Sequence, residues 1–366
     1  MQHIGIDARL TYYRQEGISV YIQRLIKALA LLDSGDYYTV FHSRKDRHTI
    51  TEHFQRASLW TPCHNRLERL ALSVELARFR LDLLHSPDFI PPRYGARRYV
   101  ITVHDLNFLH YPQFLTPESR RYYNDQIEAA VRQADHILAD SEATKTDLIQ
   151  MLGVPAAKIT VHMLGVDESF RPLSPAELIT ANENLELPDG YILFLGTFEP
   201  RKNIIGLLEA YHQLIQTFPE APPIVLAGRR GWLFEETMAR IETMQLQKRI
   251  IWRENVPQAL LPALYNKASV LVSPSFYEGF GFPALEAMAC GTIPIVSNRS
   301  SLPEVVGPVG HQVDPDDPVT LAQALHHALT DISWRDTMRT AGLQRAATFT
   351  WENTAKVALA VYHSII

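Results

Sequence analysis

The stretch SVLVSPSFYEGFGFPALEAMACGTIPIVSN, residues 269–298, contains a complete pattern of strand, turn, helix and strand. Apolar runs at 269–275 and 292–298 have the length and the branched side chains of buried strands. Between them, Pro283 suits the first turn of a helix, where a missing backbone N–H breaks no hydrogen bond. Two strands joined through a helix form the repeating unit of parallel α/β sheets. The stretch therefore predicts an α/β fold.

The same alternation of apolar runs and helical patterns continues along the chain in both directions. In the first half the predicted strands are HIGIDAR (3–9), YYTVFH (37–42), DLLHS (82–86), YVITVHD (99–105), HILAD (136–140) and ITVHML (159–164). In the second half they are YILFLGT (191–197), PIVLAG (223–228), RIIWRE (249–254), SVLVSPS (269–275) and TIPIVSN (292–298). The polar, proline-bearing segment 167–190 is interpreted as the link between domains, with room for a short helix. We predict two doubly wound, Rossmann-like domains that face each other across a cleft.

Length and composition limit the classes of protein to which this chain can belong. At 366 residues it is too long for one ordinary core, which favours two domains. Its hydrophobic and charged fractions, 46% and 20%, are typical of a soluble globular enzyme. A net charge of −5 lacks the basic footprint of a nucleic-acid-binding protein. Cys63 and Cys290 are the only cysteines, which argues against a disulfide framework or a zinc site.

From the sequence we expect neither a signal peptide nor a membrane-spanning helix. The first residues, MQHIGIDARL, have no basic leader followed by an apolar run, and no segment approaches the ~20 apolar residues of a membrane-spanning helix. We therefore expect a cytoplasmic protein. Peripheral contact with the inner membrane face stays open, because RLERLALSVELARFR (66–80) predicts an amphipathic helix, although such a face can also pack on its own domain. The helix would carry Leu67, Leu70, Ala71, Val74 and Ala77 on one face, with Arg66, Arg69, Arg78 and Arg80 nearby.

The turn after the strand 269–275 has features of an anion site. Gly279 and Gly281 permit a tight backbone and the close approach of a ligand. The helix that follows offers N–H groups and the positive end of a dipole, which attract phosphate. Glu278 in the loop and Glu286 one turn into the helix could accept hydrogen bonds from sugar hydroxyls. The pattern suggests a nucleotide sugar, whereas the alternative is a dipole-complementing Glu286 and a solvated Glu278.

A second turn, FEPRKN, follows the strand 191–197. Arg201 and Lys202 stand just ahead of a predicted helix, where cations oppose the helix dipole. A bound diphosphate would explain their position, with Glu199 beside them. The alternative is an ordinary exposed basic turn.

Two candidates lie in the first half. His104 and Asp105 end a buried strand, where an imidazole can be oriented beside a substrate, although a structural histidine is the alternative. Gly17 directly precedes a helix and could face an anion.

Two other motifs suggest different chemistry. GFGFPA (279–284) matches the dinucleotide pattern of an NAD-dependent oxidoreductase, but that pattern belongs to the first βα unit, with an acid at the end of the next strand. Here the next strand ends at Asn298. Asp314 and Asp316 have the D-x-D spacing of a divalent metal site. Prolines flank them and a helix follows, so acids that cap a turn explain them better.

The motifs together resemble a known family. LGTFEPRKN (195–203) and SFYEGFGFPALEAMACGTIPIVSN (275–298) look like the donor-binding half of the GT-B glycosyltransferases of family 4, including their E-x7-E motif. Looser resemblance extends through ARLTYYRQEGISVYIQRLIKAL (8–29), TVHDLNFLHYP (102–112) and ADSEATKTDL (139–148). The GT-x-EPRKN and VHDL motifs are most similar to those of bacterial mannosyltransferases that use GDP-mannose.

This resemblance implies an architecture and a reaction. The N-terminal, acceptor-side domain would span 1–170, the nucleotide-sugar-binding domain 171–348, and a helix at 349–366 would cross back to the first domain. The enzyme would transfer a sugar with retention, without a required metal or cofactor. The expected donor is GDP-mannose, with a UDP-sugar as the alternative. The acceptor would be a glycan or a lipid-linked sugar in cell-surface polysaccharide or glycolipid synthesis.

The resemblance also implies roles for individual residues. Glu286 would bind the nucleotide ribose, and Glu278 would contact hydroxyls of the donor sugar. Lys202 and Arg201 would hold the diphosphate, and backbone N–H groups around Gly279, Phe280 and Gly281 would complete its seat. His104 would reach the donor sugar, with Asp105 and Glu278 as further catalytic candidates, and Gly17 would lie near the phosphates. Many members carry an arginine where this chain has Thr197, which leaves one phosphate ligand open.

Overall fold

A computed structural model describes the chain except for residues 14–16, 33, 66, 115–116 and 232–233. The chain forms two compact units. Unit 1 comprises Met1–Gly165 together with Thr350–Ile366, and unit 2 comprises Val166–Phe349. The predicted domain boundaries lie at 170 and 348.

Unit 1 is built on a parallel sheet of seven strands in the order β3-β2-β1-β4-β5-β6-β7. The strands are β1 (His3–Asp7), β2 (Tyr37–Ser43), β3 (Gln55–Leu59), β4 (Leu81–Ser86), β5 (Ala96–Val103), β6 (His136–Ala139) and β7 (Ile159–Val161). Continuous branched runs such as Val100–Val103 are buried on both faces, as parallel sheets covered by helices require. The order in which strands are added to the sheet reverses between β1 and β4, which are parallel neighbours that pair through Ile4 and Leu83. Ligands bind at such switch points in doubly wound sheets.

The helices of unit 1 come from both ends of the chain. They are α1 (Leu10–Tyr13), α2 (Ile18–Leu31), α3 (Glu68–Leu76), α4 (Asn107–His110), α5 (Pro117–Gln133), α6 (Glu142–Leu152) and α15 (Trp351–Ile365). The last helix packs on α2, and the Thr354 hydroxyl donates to the carbonyl of Met163 (2.7 Å). A Cβ at Gly165 would lie 2.2 Å from the backbone nitrogen of Trp351, so only glycine permits this close approach.

Unit 2 contains a parallel sheet of six strands in the order β10-β9-β8-β11-β12-β13. The strands are β8 (Tyr191–Leu195), β9 (Ile224–Ala227), β10 (Ile250–Arg253), β11 (Ala268–Ser273), β12 (Ile293–Ser297) and β13 (His311–Val313). The helices are α7 (Pro175–Leu185), α8 (Ile204–Thr217), α9 (Phe234–Thr243), α10 (Leu261–Asn266), α11 (Phe282–Ala289), α12 (Leu302–Val306), α13 (Pro318–Thr330) and α14 (Ile332–Ala346). The apolar faces of α8 and α13 meet over the sheet and form its core with the β8 and β9 side chains.

The prediction of two doubly wound, Rossmann-like domains is confirmed, because both units have parallel sheets with reversed strand order. Every predicted strand is present, and two further strands, β3 and β13, were not predicted. Both lie at sheet edges, where short and partly exposed sequences such as QRASL lack a continuous apolar run. The segment 167–190 lies within unit 2 and contains the eleven-residue helix α7. Ser174 and Glu177 bond to each other's backbone N–H at its start, which is a capping box.

Candidate active site

In unit 2, two predicted turns lie at the carboxyl ends of two central strands of the sheet. Strands β8 and β11 are hydrogen-bonded neighbours, so the turns after Leu195 and Ser273 lie side by side. Asn203, the N-cap of α8, joins the two turns. Its side chain accepts from the backbone N–H of Gly206 (3.2 Å) and donates to the carbonyl of Pro274 (3.2 Å). Its left-handed φ of 54° suits asparagine better than most residues.

The two turns place the predicted basic residues against Glu278. Lys202 Nζ donates to Glu278 Oε1 at 2.5 Å, and Arg201 Nη1 donates to Glu278 Oε2 at 2.9 Å. Ser275 Oγ donates to the same carboxylate at 2.7 Å. We call Arg201, Lys202 and Glu278 the basic cluster, because its three side chains carry one net positive charge. Arg201 is also paired with Glu199 at 2.9 Å.

Burial and charge have opposite effects on Glu278. Burial opposes ionisation of this side chain, yet Lys202 and Arg201 lower the pKa of Glu278 to about 2. Burial also lowers the pKa of Lys202, and Arg201 adds to that effect while Glu278 opposes it. The cluster is therefore a buried ionic group of mixed sign. An incoming diphosphate would compete with Glu278 for the two cations.

The predicted glycine turn lies directly before α11, and two serines hold it in place. Ser301 Oγ lies 2.8 Å from the carbonyl oxygen of Glu278 and 2.7 Å from that of Phe280. Ser300 Oγ accepts from the backbone N–H of Glu278 at 2.9 Å. Gly281 is the N-cap of α11 and has a φ of 109°, which side chains disfavour. The turn residues are Gly279, Phe280 and Gly281. Sequence reasoning did not identify the serines, which lie 22 and 21 positions beyond their partners.

Glu286 lies on α11 and is partly buried. Its carboxylate accepts a hydrogen bond from the Tyr265 hydroxyl at 2.7 Å. Burial raises the pKa of Glu286 to about 7, the Tyr265 bond opposes this rise, and nearby Asp167 adds to it. The side chain can therefore change charge near neutral pH. Tyr265 is a positioning partner that the spacing of the motif did not reveal.

In unit 1, His104 follows β5 and lies between the ends of β4 and β6. Its Nδ1 donates to Asp140 Oδ2 at 2.7 Å, and its Nε2 donates to the carbonyl of Pro87 at 2.8 Å. Because both acceptors need an N–H, the ring is an imidazolium. Burial opposes this charge, but Asp140, with Asp88 adding, raises the pKa of His104 to about 9. Asp140 directly follows the run HILA, and this position could have identified it.

A chain of hydrogen bonds extends from this histidine region to the last helix. The Tyr21 ring meets the edge of the His104 ring at a centroid distance of 4.9 Å. The Tyr21 hydroxyl bonds to Thr102 Oγ1 (2.8 Å) and His162 Nε2 (2.9 Å). Thr102 bonds to His85 Nε2 (2.8 Å), and His85 Nδ1 bonds to the Tyr362 hydroxyl (2.6 Å). The network is buried and fixes the surroundings of His104.

Asp105 and Gly17 have local structural contacts. Asp105 Oδ1 accepts from the backbone N–H of Asn107 at 3.0 Å and so caps the turn that begins α4. The carboxylate that bonds to the His104 ring is Asp140, not its chain neighbour. Gly17 is the exposed N-cap of α2, with a φ of 56°. Residues 14–16, directly before it, lie outside the described residues.

The D-x-D motif has a structural explanation. Asp314 and Asp316 both accept from Arg299 Nη2, at 2.7 and 2.5 Å. Asp317 caps α13 by accepting from the backbone N–H of Val319 (3.0 Å). Across the described residues, no group of three or more histidines, cysteines or acids could hold a metal ion.

The predicted amphipathic helix is present as α3, and part of its apolar face is uncovered. Leu67, Leu70 and Val74 are 66%, 45% and 78% exposed. Two exposed aromatic residues, Trp60 and Tyr94, lie next to this helix, because their backbone N–H groups donate to the side chains of Glu75 and Ser73. We call these five residues the α3 face. Arg66 lies outside the described residues, and no helix in the described part of the chain is long and apolar enough to span a membrane.

Comparison with known proteins identifies the family of this chain. A family model described as Glycosyltransferase Family 4 matches residues 16–170. A second, described as Glycosyl transferases group 1, matches residues 176–345. The O-antigen chain mannosyltransferase B of Escherichia coli is 32% identical over 96% of both chains. The D-inositol 3-phosphate glycosyltransferase of Thermobifida fusca is 30% identical over 69% of this chain and 60% of its own.

Solved structures show the same fold at lower identity. Sucrose-phosphate synthase from Thermosynechococcus elongatus superposes with a TM-score of 0.79 at 22% identity, over 100% of this chain and 99% of the other. WaaG, a glycosyltransferase involved in lipopolysaccharide biosynthesis, gives 0.75 at 14% identity, over 98% and 99%. Anabaena HepE, solved with UDP and glucose, gives 0.75 at 17% identity, with both chains covered completely. These likenesses confirm the GT-B fold. The family models and the 32% identity to the mannosyltransferase over nearly the whole chain show that this protein belongs to glycosyltransferase family 4.

Proposed function

We propose that this glycosyltransferase is a retaining mannosyltransferase that moves mannose from GDP-mannose to a glycan or lipid-linked acceptor. The basic cluster carries the proposal. Two cations at the carboxyl edge of the sheet, directly beside a glycine turn, suit the diphosphate of a nucleotide sugar. The similarity to O-antigen chain mannosyltransferase B supports mannose as the sugar and a surface polysaccharide as the product.

The cluster would act on the leaving group. When the bond between the sugar and the diphosphate breaks, negative charge grows on the diphosphate oxygens. Fixed cations that are already in place stabilise this charge without reorganising. We place Lys202 and Arg201 in this role, with backbone N–H groups of the glycine turn beside them. No metal or other cofactor is proposed, because the two side chains supply the positive charge.

The remaining candidates would divide recognition and transfer. Glu278, ionised at neutral pH, would accept hydrogen bonds from hydroxyls of the donor sugar. Glu286 would do the same for the ribose hydroxyls, in competition with its bond to Tyr265. His104 would take part in the transfer step as an imidazolium that Asp140 holds in place. For Asp105 and Gly17 we propose only supporting roles at the starts of their helices.

A UDP-sugar is the alternative donor. HepE was solved with UDP and glucose, and it shares the fold of this chain. The basic cluster would contact the phosphates, which GDP and UDP share, so it would not distinguish between nucleobases. Mannose and guanine therefore rest on the mannosyltransferase relative, whereas the diphosphate rests on the cluster.

A nucleotide screen tests the donor. We expect GDP to raise the Tm of the wild-type protein more than UDP or ADP, because a ligand at about 100 times its Kd adds about 2.7 kcal/mol of stability. GDP-mannose should then be consumed in the presence of a mannose-terminated acceptor, and NMR of the new linkage should show the donor's anomeric configuration. Stabilisation and turnover by UDP-sugars alone would overturn GDP-mannose while leaving the glycosyltransferase class intact. An inverted anomer would overturn retention.

We also propose that the α3 face contacts an anionic membrane surface. Its three aliphatic side chains and two aromatic rings are exposed, and tryptophan and tyrosine favour the interfacial region of bilayers. Basic residues lie beside it: the Arg44 guanidinium stacks 3.9 Å above the Trp60 ring, and Arg93 and Arg78 are exposed. Burial of apolar side chains and attraction to anionic lipid act together on such surfaces.

Vesicle co-sedimentation tests this contact. We expect wild-type protein to sediment with phosphatidylglycerol-containing vesicles, and Val74→Glu to reduce the bound fraction about tenfold because it places a carboxylate on the apolar face. Ile179→Glu is the matched control, since Ile179 is 67% exposed in unit 2. Equal sedimentation of the two variants, or binding that ignores anionic lipid, would contradict the proposal.

A further inference from the structure

Unit 1 contains a small polar pocket that the proposed donor site does not use. It lies at the carboxyl ends of β1 and β4, the neighbouring strands between which the order of strand addition reverses. Its polar lining consists of Asp7, Arg9, His64, Glu68, Ser86 and Asp88. We call it the unit 1 pocket. It is small, so it admits one edge of a sugar ring rather than a whole sugar.

The charges of the pocket are dominated by carboxylates. Arg9 is 1% exposed and lies 2.7 Å from Asp7 and 2.8 Å from Glu68, so two acids neutralise its charge. Its Nη1 donates to the carbonyl of Thr61 (2.8 Å). Asp88 is a third acid and accepts from His64 Nε2 at 2.8 Å. Among the described residues that line it, the pocket has three acids against one arginine and one histidine, a composition that disfavours a phosphate.

Ser86 offers an unpartnered polar group to the pocket. This residue ends β4, is 2% exposed, and lines the pocket. Its buried hydroxyl has no hydrogen-bond partner within the described part of the chain. Buried polar groups are nearly always bonded, and an unmade bond is costly. A ligand hydroxyl in the pocket would supply the missing partner.

The pocket also adjoins the candidate catalytic histidine. Pro87 lines the pocket, and its carbonyl accepts the Nε2–H of His104 at 2.8 Å. Asp88, one residue further along, contributes to the charge of that ring. A sugar edge held by Ser86 and Asp88 would therefore lie within one residue of the His104 contact.

We propose that the unit 1 pocket binds hydroxyl groups of an uncharged sugar on the acceptor and discriminates against a phosphorylated one. Ser86 would bond to one hydroxyl, and Asp88 would accept from another. This inference rests on the proposed function, because it concerns the acceptor of the same transfer reaction. It names the class of acceptor, a neutral glycan end, and two residues that determine specificity.

Acceptor kinetics test the proposal with the full chain. The probes are methyl α-mannoside and its 6-phosphate, and the variants are Ser86→Ala and Asp88→Asn. We expect the acceptor KM for methyl α-mannoside to rise about fivefold in Ser86→Ala and at least about tenfold in Asp88→Asn, with the donor KM unchanged. Asp88→Asn should also lower, about tenfold, the ratio of kcat/KM for methyl α-mannoside to kcat/KM for its 6-phosphate.

Two control variants keep the result specific. Ser43→Ala removes a buried hydroxyl at the end of β2, and Asp135→Asn neutralises an acid that bonds to Arg98. Neither residue lines the pocket, so both should keep the wild-type acceptor KM. Wild-type acceptor KM values in both pocket variants, or equal wild-type use of the two probes, would overturn the proposal.

The proposed function can fail separately. If no nucleotide sugar is turned over, ligand-detected NMR with methyl α-mannoside still reads the pocket. Binding to wild-type protein that Ser86→Ala and Asp88→Asn each weaken would support the pocket even then. Binding that the variants leave unchanged, or no binding to the wild type, would contradict it.

Discussion

Lys202→Ala is expected to lower kcat/KM for sugar transfer by about 30- to 1000-fold. This range corresponds to the ~2–4 kcal/mol that a positioned, charged contact contributes to a transition state. Lys202 is the more buried of the two cations, and its ammonium group lies 2.5 Å from Glu278. Its loss removes charge that would face the leaving diphosphate. Arg201→Ala should act in the same direction, because Arg201 bonds to the other oxygen of Glu278.

The control must separate catalysis from stability, because removing one partner of a buried ion pair also destabilises the fold. Lys267→Ala is the control for the loss of a buried lysine: its side chain is 6% exposed and donates to the carbonyl of Leu187 at 3.1 Å, while its acidic partner Asp189 is 94% exposed. Lys267 precedes β11, at the opposite edge of the sheet from the basic cluster. Steady-state kinetics and Tm should be measured for both variants. Wild-type turnover in Lys202→Ala and Arg201→Ala would end the assignment of the cluster.

Substitutions of His104 and Glu286 are expected to have large effects on different properties, the rate of transfer and the affinity for GDP. His104→Ala is expected to lower kcat by about 100-fold or more while the Kd for GDP changes less than about threefold. Glu286→Ala is expected to raise that Kd about tenfold, since two ribose hydroxyls would lose their acceptor. Calorimetry with GDP and turnover assays, run on the same preparations, distinguish the two defects. Loss of GDP affinity in His104→Ala as severe as in Glu286→Ala would contradict this division.

The pH dependence of the two residues sharpens the test. The ionised carboxylate of Glu286 should accept hydrogen bonds from ribose better than the protonated form. Because the pKa of Glu286 is about 7, GDP affinity should rise with pH through 7 in the wild type but not in Glu286→Gln. The folded pKa of His104 is about 9, above its ordinary value of 6.5. Its pairing with Asp140 therefore stabilises the fold fully below pH 6.5, and this contribution is lost as pH rises through 9. His136→Ala is the histidine control, because His136 begins β6 whereas Asp140, the partner of His104, follows its last residue.

Much of the fold could be predicted because buried parallel strands have continuous apolar runs. The runs of β8 and β11 are short, apolar and rich in branched side chains, which is typical of strands buried on both faces. Edge strands such as β3 escape this rule, since one side has no neighbour and polar residues are tolerated there. The segment 167–190 was predicted only to have room for a short helix, because the polar sequence of α7 hides the burial of its last residue, Leu185.

The candidate site was predictable where chemistry follows directly from the ends of strands. Lys202 and Glu278 come after neighbouring strands, and the structure brings them into contact. The partner of His104 was not predicted, because Asp140 is 36 positions away and becomes a neighbour only through the pairing of β5 with β6. Charge states were also beyond the sequence, since burial raises the pKa of Glu286 by an amount that spacing does not encode.

The central claim is that the basic cluster holds a diphosphate. Titration calorimetry of GDP and guanosine against the wild type and Lys202→Ala measures it most directly, because the two ligands differ only in their phosphates. We predict that the wild type binds GDP at least about 100-fold more tightly than guanosine, as two charge-assisted contacts would give. In Lys202→Ala this preference should fall by about tenfold or more, with guanosine affinity unchanged. An equal preference for GDP in both proteins would contradict the claim.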